Sequence, residues 1–282
     1  MSDVPAFVVF TDLDGTLLDH FDYNFEAAKP TLLQLQHASI PVIPNTSKTF
    51  AELKVITEQI GLNTPFIVEN GAAVYIPRDY FPQVPQGCVQ IDEFWCKSFT
   101  IARDEILDFL NQLPSSLCDA FIGFSQMSSD QIALETGLSK QDALLASKKQ
   151  FSEPIKWLGN ERQKQQLAIY LSDRGANMLE GGRFFHISGQ TNKGHAMQWL
   201  TNEFRLQFGV EHSIKGGLMT IALGDSYNDI DMLEVADVAV QIRSHKHAYP
   251  RLKRTESLIQ TSQMGPEGWA EGINQIIKEF HK

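Results

Sequence analysis

Residues 6–11, AFVVFT, form an unbroken apolar run that stops at an Asp/Gly cluster. Such a run reads as a strand buried on both faces, the pattern of a parallel sheet. A helix follows over 29–38, with Leu32, Leu33 and Leu35 as its apolar face. Residues 40–44, IPVIP, are a second short apolar run. Thr46 and Ser47 then open a helix through Phe50, Leu53, Val55 and Ile56, which Gly61 stops. Residues 66–68, FIV, make a third strand. This alternation predicts right-handed βαβ units and a parallel sheet with helices on both faces.

The rhythm breaks near Pro77, where Pro82, Pro85 and Gly87 also cluster. Helices are expected over 103–113, 128–135, 139–147 and 160–171, with short strands at 121–123, 177–180 and 183–188. The first rhythm returns after Gly189. Residues 193–208 read as an amphipathic helix, 218–223 as a buried strand ending at Gly224-Asp225, and 229–235 as a helix. Strands at 237–240 and 257–261 and a helix over 265–280 complete the chain. The expected fold is α/β: a Rossmann-like parallel-sheet core, residues 1–83 and 189–282, split by an inserted α+β domain at 84–188. In such sheets ligands bind beyond the carboxyl ends of the strands.

Composition narrows the function. The 282 residues carry 24 Lys and Arg against 34 Asp and Glu, a net charge of −10. An acidic chain is poorly suited to binding nucleic acid through its backbone phosphates. An anionic substrate would need a local cation to offset the global field. Cys88, Cys96 and Cys118 are too scattered for a disulfide framework or a Cys-x-x-Cys metal pair. With no leader-like segment and no apolar run long enough for a bilayer, a cytoplasmic protein without a membrane partner is expected.

The sharpest chemical signal is residues 10–17, FTDLDGTL. Asp12 and Asp14 lie two apart beyond a buried strand, so both carboxylates can face one site. They repel each other unless a cation intervenes or their roles differ. Gly15 permits a sharp turn, and Thr16 can hold the turn or a helix start. The same residues could open a calcium loop, but the twelfth position from Asp12 is Tyr23 rather than a bidentate Glu.

This segment resembles the first motif of the haloacid dehalogenase-like phosphohydrolases. That resemblance requires three further motifs, each with a counterpart here. Thr46 closes an apolar run and supplies a hydroxyl for phosphate oxygens. Lys193, in QTNKGHA, is the expected cation. Residues 221–229, IALGDSYND, supply Asp225, Asn228 and Asp229. In isolation Thr46 and Ser47 could be an ordinary helix cap and Lys193 a solvated surface residue. The family pattern implies that Asp12 is the nucleophile and Asp14 the general acid and base. It further implies that Thr46 and Lys193 bind the transferring group. Mg²⁺ would be held by Asp12, the Asp14 carbonyl and Asp225, with Asn228 and Asp229 in support. An all-oxygen donor set suits Mg²⁺, and a carboxylate attacking a phosphate monoester needs a bridging cation.

An insertion after the third core strand resembles the second class of cap in this family. The segments NTSKT at 45–49, ENGA at 69–72, FSEP at 151–154 and GGRFFH at 181–186 are similar to mannosyl-3-phosphoglycerate phosphatases. The resemblance implies a small phosphorylated sugar acid as substrate, with Ser47, Lys48, Asn70 and Arg183 binding it. Gly181 and Gly182 would let the backbone approach closely, and the Arg183 fork suits a carboxylate. A hairpin turn with an exposed arginine is the alternative reading of 181–183. His186 and His195 read as packing or surface residues, and Trp95, Trp157 and Trp199 as core or rim. The open functional alternatives are a glucosyl analogue, another sugar phosphate, a phosphomutase and a non-catalytic phospho-ligand module.

Overall fold

The computed structural model describes residues 7–180, 183–209 and 217–280. In chain order it contains β1 (Phe7–Thr11), α1 (Lys29–His37), β2 (Val42–Pro44), α2 (Phe50–Ile60), β3 (Phe66–Val68), β4 (Ala73–Pro77), β5 (Val89–Ile91) and β6 (Phe94–Ser98). There follow α3 (Arg103–Asn111), α4 (Ser115–Cys118), β7 (Phe121–Gly123), α5 (Ser129–Thr136), α6 (Lys140–Ala146), β8 (Ser152–Trp157), α7 (Glu161–Ser172), β9 (Ala176–Glu180) and β10 (Phe185–Gly189). The last elements are α8 (Lys193–Phe208), β11 (Met219–Gly224), α9 (Ile230–Val235), β12 (Val238–Arg243), β13 (Leu258–Met264) and α10 (Gly265–Phe280). The α/β class read from the hydrophobic pattern is the fold. No helix among the described residues is long and apolar enough to cross a membrane.

The chain divides into two compact units. The first comprises the described residues of Met1–Thr46, Leu62–Lys97 and Asn192–Lys282. Its five-stranded sheet runs β13-β12-β11-β1-β2, every pair parallel. β1 sits between β11 and β2, with Thr11 opposite Leu223 on one side and Pro44 on the other. The Asp12 amide donates to the Leu223 carbonyl at 2.9 Å and the Asn45 amide to the Thr11 carbonyl at 2.7 Å. Three neighbouring strands therefore end at one level, where a parallel sheet places its ligands. Val8, Val9 and Phe10 are fully buried, as a strand covered on both faces requires. Trp269 on α10 is buried beneath this layer. Its Nε1 donates to Thr11 Oγ1 at 3.0 Å, and that hydroxyl donates to the Asp12 carbonyl at 2.7 Å.

A parallel bridge between Asn45 and Ile67 carries β2 onto β3. β3 then pairs antiparallel with β4 in a four-stranded sheet, β3-β4-β6-β5. The hydrophobic pattern assigned no strand between 69 and 98. β5 escaped because its residues are largely exposed, and β4 because its run ends at Pro77 in a proline-rich stretch. Helix α1 differs in one detail: Leu32 and Leu35 are buried, whereas Leu33 faces solvent.

The second unit comprises the described residues of Ser47–Gly61 and Ser98–Thr191. Its antiparallel sheet runs β7-β8-β10-β9. Ile106 of α3 and Leu167 and Leu171 of α7 pack against Ile155 and Ile187 of this sheet. Glu153 on β8 is fully buried and receives Arg103 through Nε at 2.7 Å and Nη2 at 2.5 Å. Helix α2 belongs to this unit. Thr49 Oγ1 donates to the Leu145 carbonyl at 3.1 Å, and Lys149 Nζ to the Ser47 carbonyl at 2.9 Å. Thr49 caps α2, not Thr46 or Ser47, because Thr49 and Glu52 form a reciprocal capping box. Gly61 closes the helix in the left-handed region, as read.

Candidate active site

The site forms where β1 and β11 end side by side. Asp12 follows β1 and Asp225 follows β11. Asp229 lies one helical turn beyond Asp225, and Lys193 opens α8. Three carboxylates, from Asp12, Asp225 and Asp229, place oxygens within 4.8 Å of one another. Lys193 is fully buried at a helix amino end, where both burial and the helix dipole oppose an ammonium. Two carboxylates offset this: Nζ donates to Asp12 Oδ1 and to Asp229 Oδ1, each at 2.6 Å. Burial lowers the Lys193 pKa, but the two carboxylates outweigh it and hold the ammonium above its ordinary value.

Local sequence fixes each group. Gly15 is left-handed, at φ 81°, and a β-carbon there would come within 3.0 Å of Asp225 Oδ2. A glycine therefore lets the Asp14 turn lie against Asp225. A β-carbon on Gly224 would come within 2.5 Å of the Asp229 side chain. The Asn45 side chain donates to the Lys193 carbonyl at 3.1 Å. The turn at Glu69, Asn70 and Gly71 has three consecutive positive φ values. A β-carbon on Gly71 would lie 2.1 Å from the Asn192 carbonyl, so this turn packs on the start of α8.

Burial pushes the Asp12 carboxyl up to about 7; Lys193 lowers it, and Asp229 and Asp14 raise it further. Burial also raises Asp225 to about 6, helped by Asp12 and opposed by hydrogen bonds from Ser244 and Thr16. Asp229 is raised by burial too, against Lys193. Three buried carboxylates thus share one ammonium, and the cluster lacks positive charge. That deficit and the all-oxygen donor set fit a hard divalent cation. Asp229 is oriented differently from the other two. Its Oδ1 meets Lys193, while Oδ2 accepts the Asp225 and Ser226 amides at 3.1 and 2.9 Å. Asp225 also has both oxygens engaged, by the Thr16 and Ser244 hydroxyls, and Asp12 has Oδ1 on Lys193.

The other residues singled out in the sequence fall as follows. Asp14 is half-buried on the Leu13–Leu18 turn, closed by Gly15 and Leu18. Thr46 is buried at the end of β2; its amide donates to the Ile67 carbonyl at 3.1 Å and its carbonyl accepts the Asn70 amide at 2.9 Å. Asn228 Nδ2 donates to Asn70 Oδ1 at 3.0 Å, joining residues 158 apart in sequence. Ser47, Lys48 and Arg183 belong to the second unit. Lys48 Nζ lies 3.9 Å from Glu52, and Arg183 Nη1 donates to the Glu135 carbonyl at 2.8 Å. Gly181 and Gly182 lie outside the described residues. His186 is held down to about 4, by burial first and Lys149 second, which suits a packed histidine.

Two contributors were missed. Ser244 Oγ donates to Asp225 Oδ2 at 3.1 Å, opposite Thr16 Oγ1, which donates to Oδ1 at 3.2 Å. Ser244 follows β12, and its position after a parallel strand was the available signal. Asn45 reads as an ordinary polar residue in sequence, and only the fold shows that it anchors Lys193.

A family model described as haloacid dehalogenase-like hydrolase matches residues 9–83. A glucosyl-3-phosphoglycerate/mannosyl-3-phosphoglycerate phosphatase from Methanococcoides burtonii is 33% identical over 271 residues, covering 96% of this chain and 97% of the relative. The chain belongs to this phosphatase family of haloacid dehalogenase-like hydrolases. A protein of the same description from Persephonella marina is 34% identical, covering 98% of each chain. Among solved structures, the sucrose-phosphatase of Synechocystis aligns with a TM-score of 0.58 at 16% identity, covering 96% of this phosphatase and 98% of that chain. A phosphatase of the same superfamily from Bacteroides thetaiotaomicron aligns with a TM-score of 0.64 at 16% identity, covering 97% and 94%. These two likenesses speak to the fold alone. This phosphatase is a phosphoric monoester hydrolase with a parallel-sheet core and a cap.

Proposed function

We propose that this phosphatase hydrolyses a phosphate monoester on a sugar-linked glycerate, mannosyl-3-phosphoglycerate or its glucosyl counterpart, with Mg²⁺ as cofactor. The observation that carries the chemistry is Lys193, buried and shared by Asp12 and Asp229 beside Asp225. The substrate class rests on the two relatives that match along nearly the whole chain.

Asp12 and Asp225 would hold the ion, with the Asp14 carbonyl as a third donor. Bound there, the ion would neutralise the approach of a carboxylate to a phosphate dianion. Asp12 attacks phosphorus, forming an O–P bond as the sugar-acid oxygen leaves with its electron pair. Asp14 gives that oxygen its proton. Asp14 then takes a proton from water, whose oxygen attacks the aspartyl-phosphate and releases inorganic phosphate with Asp12 regenerated. Lys193 keeps Asp12 oriented and offsets charge on the transferring group, and the Thr46 hydroxyl contacts its oxygens. Asp229 positions Lys193, and Asn228 holds Asn70.

Phosphate release from the two phosphoglycerate glycosides, with Mg²⁺ and with chelator, tests the reading. Turnover should need the metal. Asp12→Asn should lose at least about 10³-fold in kcat while melting near the wild-type temperature. Wild-type turnover by that variant would remove Asp12 as nucleophile. A phosphorylated isomer in place of free phosphate would make the protein a mutase.

A further inference from the structure

Residues 243–254, RSHKHAYPRLKR, hold five of the 24 Lys and Arg and no acidic residue, in a chain of net charge −10. This segment joins β12 to β13 at the carboxyl edge of the core sheet. Its cations differ in role. Arg254 is bound to the Leu233, Ala236 and Asp237 carbonyls at 2.7, 2.7 and 3.0 Å, so it fixes the loop to the end of α9. Lys246 is exposed, and its backbone is tied to the acidic cluster: its amide donates to Ser244 Oγ at 3.4 Å, and Ser244 donates to Asp225.

A second loop meets this one. Asp19 Oδ1 accepts the Phe21 and Asp22 amides at 2.7 and 3.2 Å and closes a turn just past the Asp14 segment. Phe21 stands 71% exposed, with its ring edge-to-face with His20 at 5.1 Å and with His245 at 5.3 Å. An aromatic ring so exposed yet flanked by two imidazoles bridges the loops and holds His20 beside the basic segment. The His20 imidazole lies within the field of Lys246, Asp14 and His245; burial first and Lys246 second keep it below its ordinary value, so it is neutral near pH 7 and offers an N–H donor.

We propose that His20 and Lys246, bridged by Phe21 and His245 and anchored through Ser244, receive a second anionic group of the substrate, a carboxylate on the carbon chain that bears the phosphate. The proposal rests on the phosphatase reading above, and it assigns carboxylate recognition to the core unit rather than to Arg183. A neutral donor beside one ammonium gives a carboxylate a charge-assisted hydrogen bond without placing a second cation against Lys246. His20 lies two residues beyond the Leu13–Leu18 turn and within the field of Asp14.

Two probes isolate that group: 3-phosphoglycerate and glycerol 3-phosphate, which differ only in a carboxylate against a hydroxymethyl. Binding is measured by calorimetry with Mg²⁺ on full-length Asp12→Asn protein, alone and with Lys246→Gln, His20→Gln or Arg183→Gln added. Phosphate release by the Asp12-containing proteins is followed in parallel. The acid should bind about ten-fold or more tighter than the alcohol, and Lys246→Gln or His20→Gln should reduce that ratio to within about three-fold. Loss of the preference without phosphate release from the two phosphoglycerate glycosides by the Asp12-containing protein would keep this site and overturn the reading under Proposed function. Three results overturn the proposal even if phosphate is released: no preference for the acid, a preference surviving both substitutions, or a preference lost only with Arg183→Gln. Circular dichroism and melting of each variant show that the folds compare.

Discussion

Withdrawing the metal should make this phosphatase less stable as pH rises from about 4 to about 7. An aspartate with an ordinary value of 3.8 is ionised in the unfolded chain over that range, whereas Asp225 holds its proton up to about 6. The folded state then binds more protons than the unfolded one. Stability contributed by this group is complete below 3.8 and lost as pH passes about 6. A rise of about two units corresponds to about 3 kcal/mol. Asp12, raised to about 7, acts in the same direction, moderated by Lys193. A divalent cation bound there would replace the proton, so metal stabilisation should grow over the same interval. His186 opposes the metal-free trend. Held down to about 4 in the fold, it costs stability as pH falls below about 6.5, by a comparable amount. The informative quantity is therefore the difference in melting temperature between Mg²⁺ and chelator, measured by calorimetry near pH 5 and pH 7.5. That difference should be larger at the higher pH by on the order of 5 °C. Asp225→Asn should reduce the pH dependence of the difference, leaving the part that Asp12 contributes. Equal metal shifts at both pH values in the unmutated protein would refute the charge-deficit account of the cluster.

Other perturbations follow from single contacts. Lys193→Met leaves two buried carboxylates without their ammonium and should cost about 3–5 kcal/mol in urea unfolding at neutral pH. Adding Asp229→Asn should recover part of that stability and none of the turnover; a fully additive double variant would break the proposed coupling. Gly15→Ala forces a β-carbon into a left-handed residue 3.0 Å from Asp225 Oδ2, so Mg²⁺ affinity should fall by calorimetry while stability drops only about 1–2 kcal/mol. Glu153→Gln removes the buried partner of Arg103 in the second unit and should destabilise by about 3 kcal/mol. Hydrogen exchange should localise that loss to β8 and α3, and protection lost instead around β1 and β11 would contradict it.

How much of this was legible in the sequence depends on the scale at which each residue acts. β1 and β11 are unbroken apolar runs ended by Asp and Gly, and a strand buried on both faces writes that pattern directly. The carboxylates after those strands were legible for the same reason, since a parallel sheet aligns the ends of its strands. α8 was legible from Lys193 to Phe208 because Asn192 caps it and Gly209 ends it in the left-handed region. α2 was misplaced at its start because three hydroxyl residues, Thr46, Ser47 and Thr49, compete for one cap. Only Thr49 has an acidic partner three residues on.

The illegible part consists of contacts whose partners lie far apart in sequence. Nothing local marks Asn45 as the residue that pins the Lys193 carbonyl, 148 positions away, or Ser244 as a donor to Asp225. Asp229 shows the limit most clearly. Its spacing from Asp225 reads as a second metal ligand, because an interval of four residues returns to the same helical face. The fold also puts that interval to a second use, beside the grouping of Asp229 with Asp12 and Asp225. Both oxygens of Asp229 are turned to protein donors, the Lys193 ammonium and two backbone amides, so its negative charge holds a buried cation in place. The same carboxylate at the same spacing could serve either role, and nothing local in the sequence shows that Lys193, 36 residues earlier, meets it.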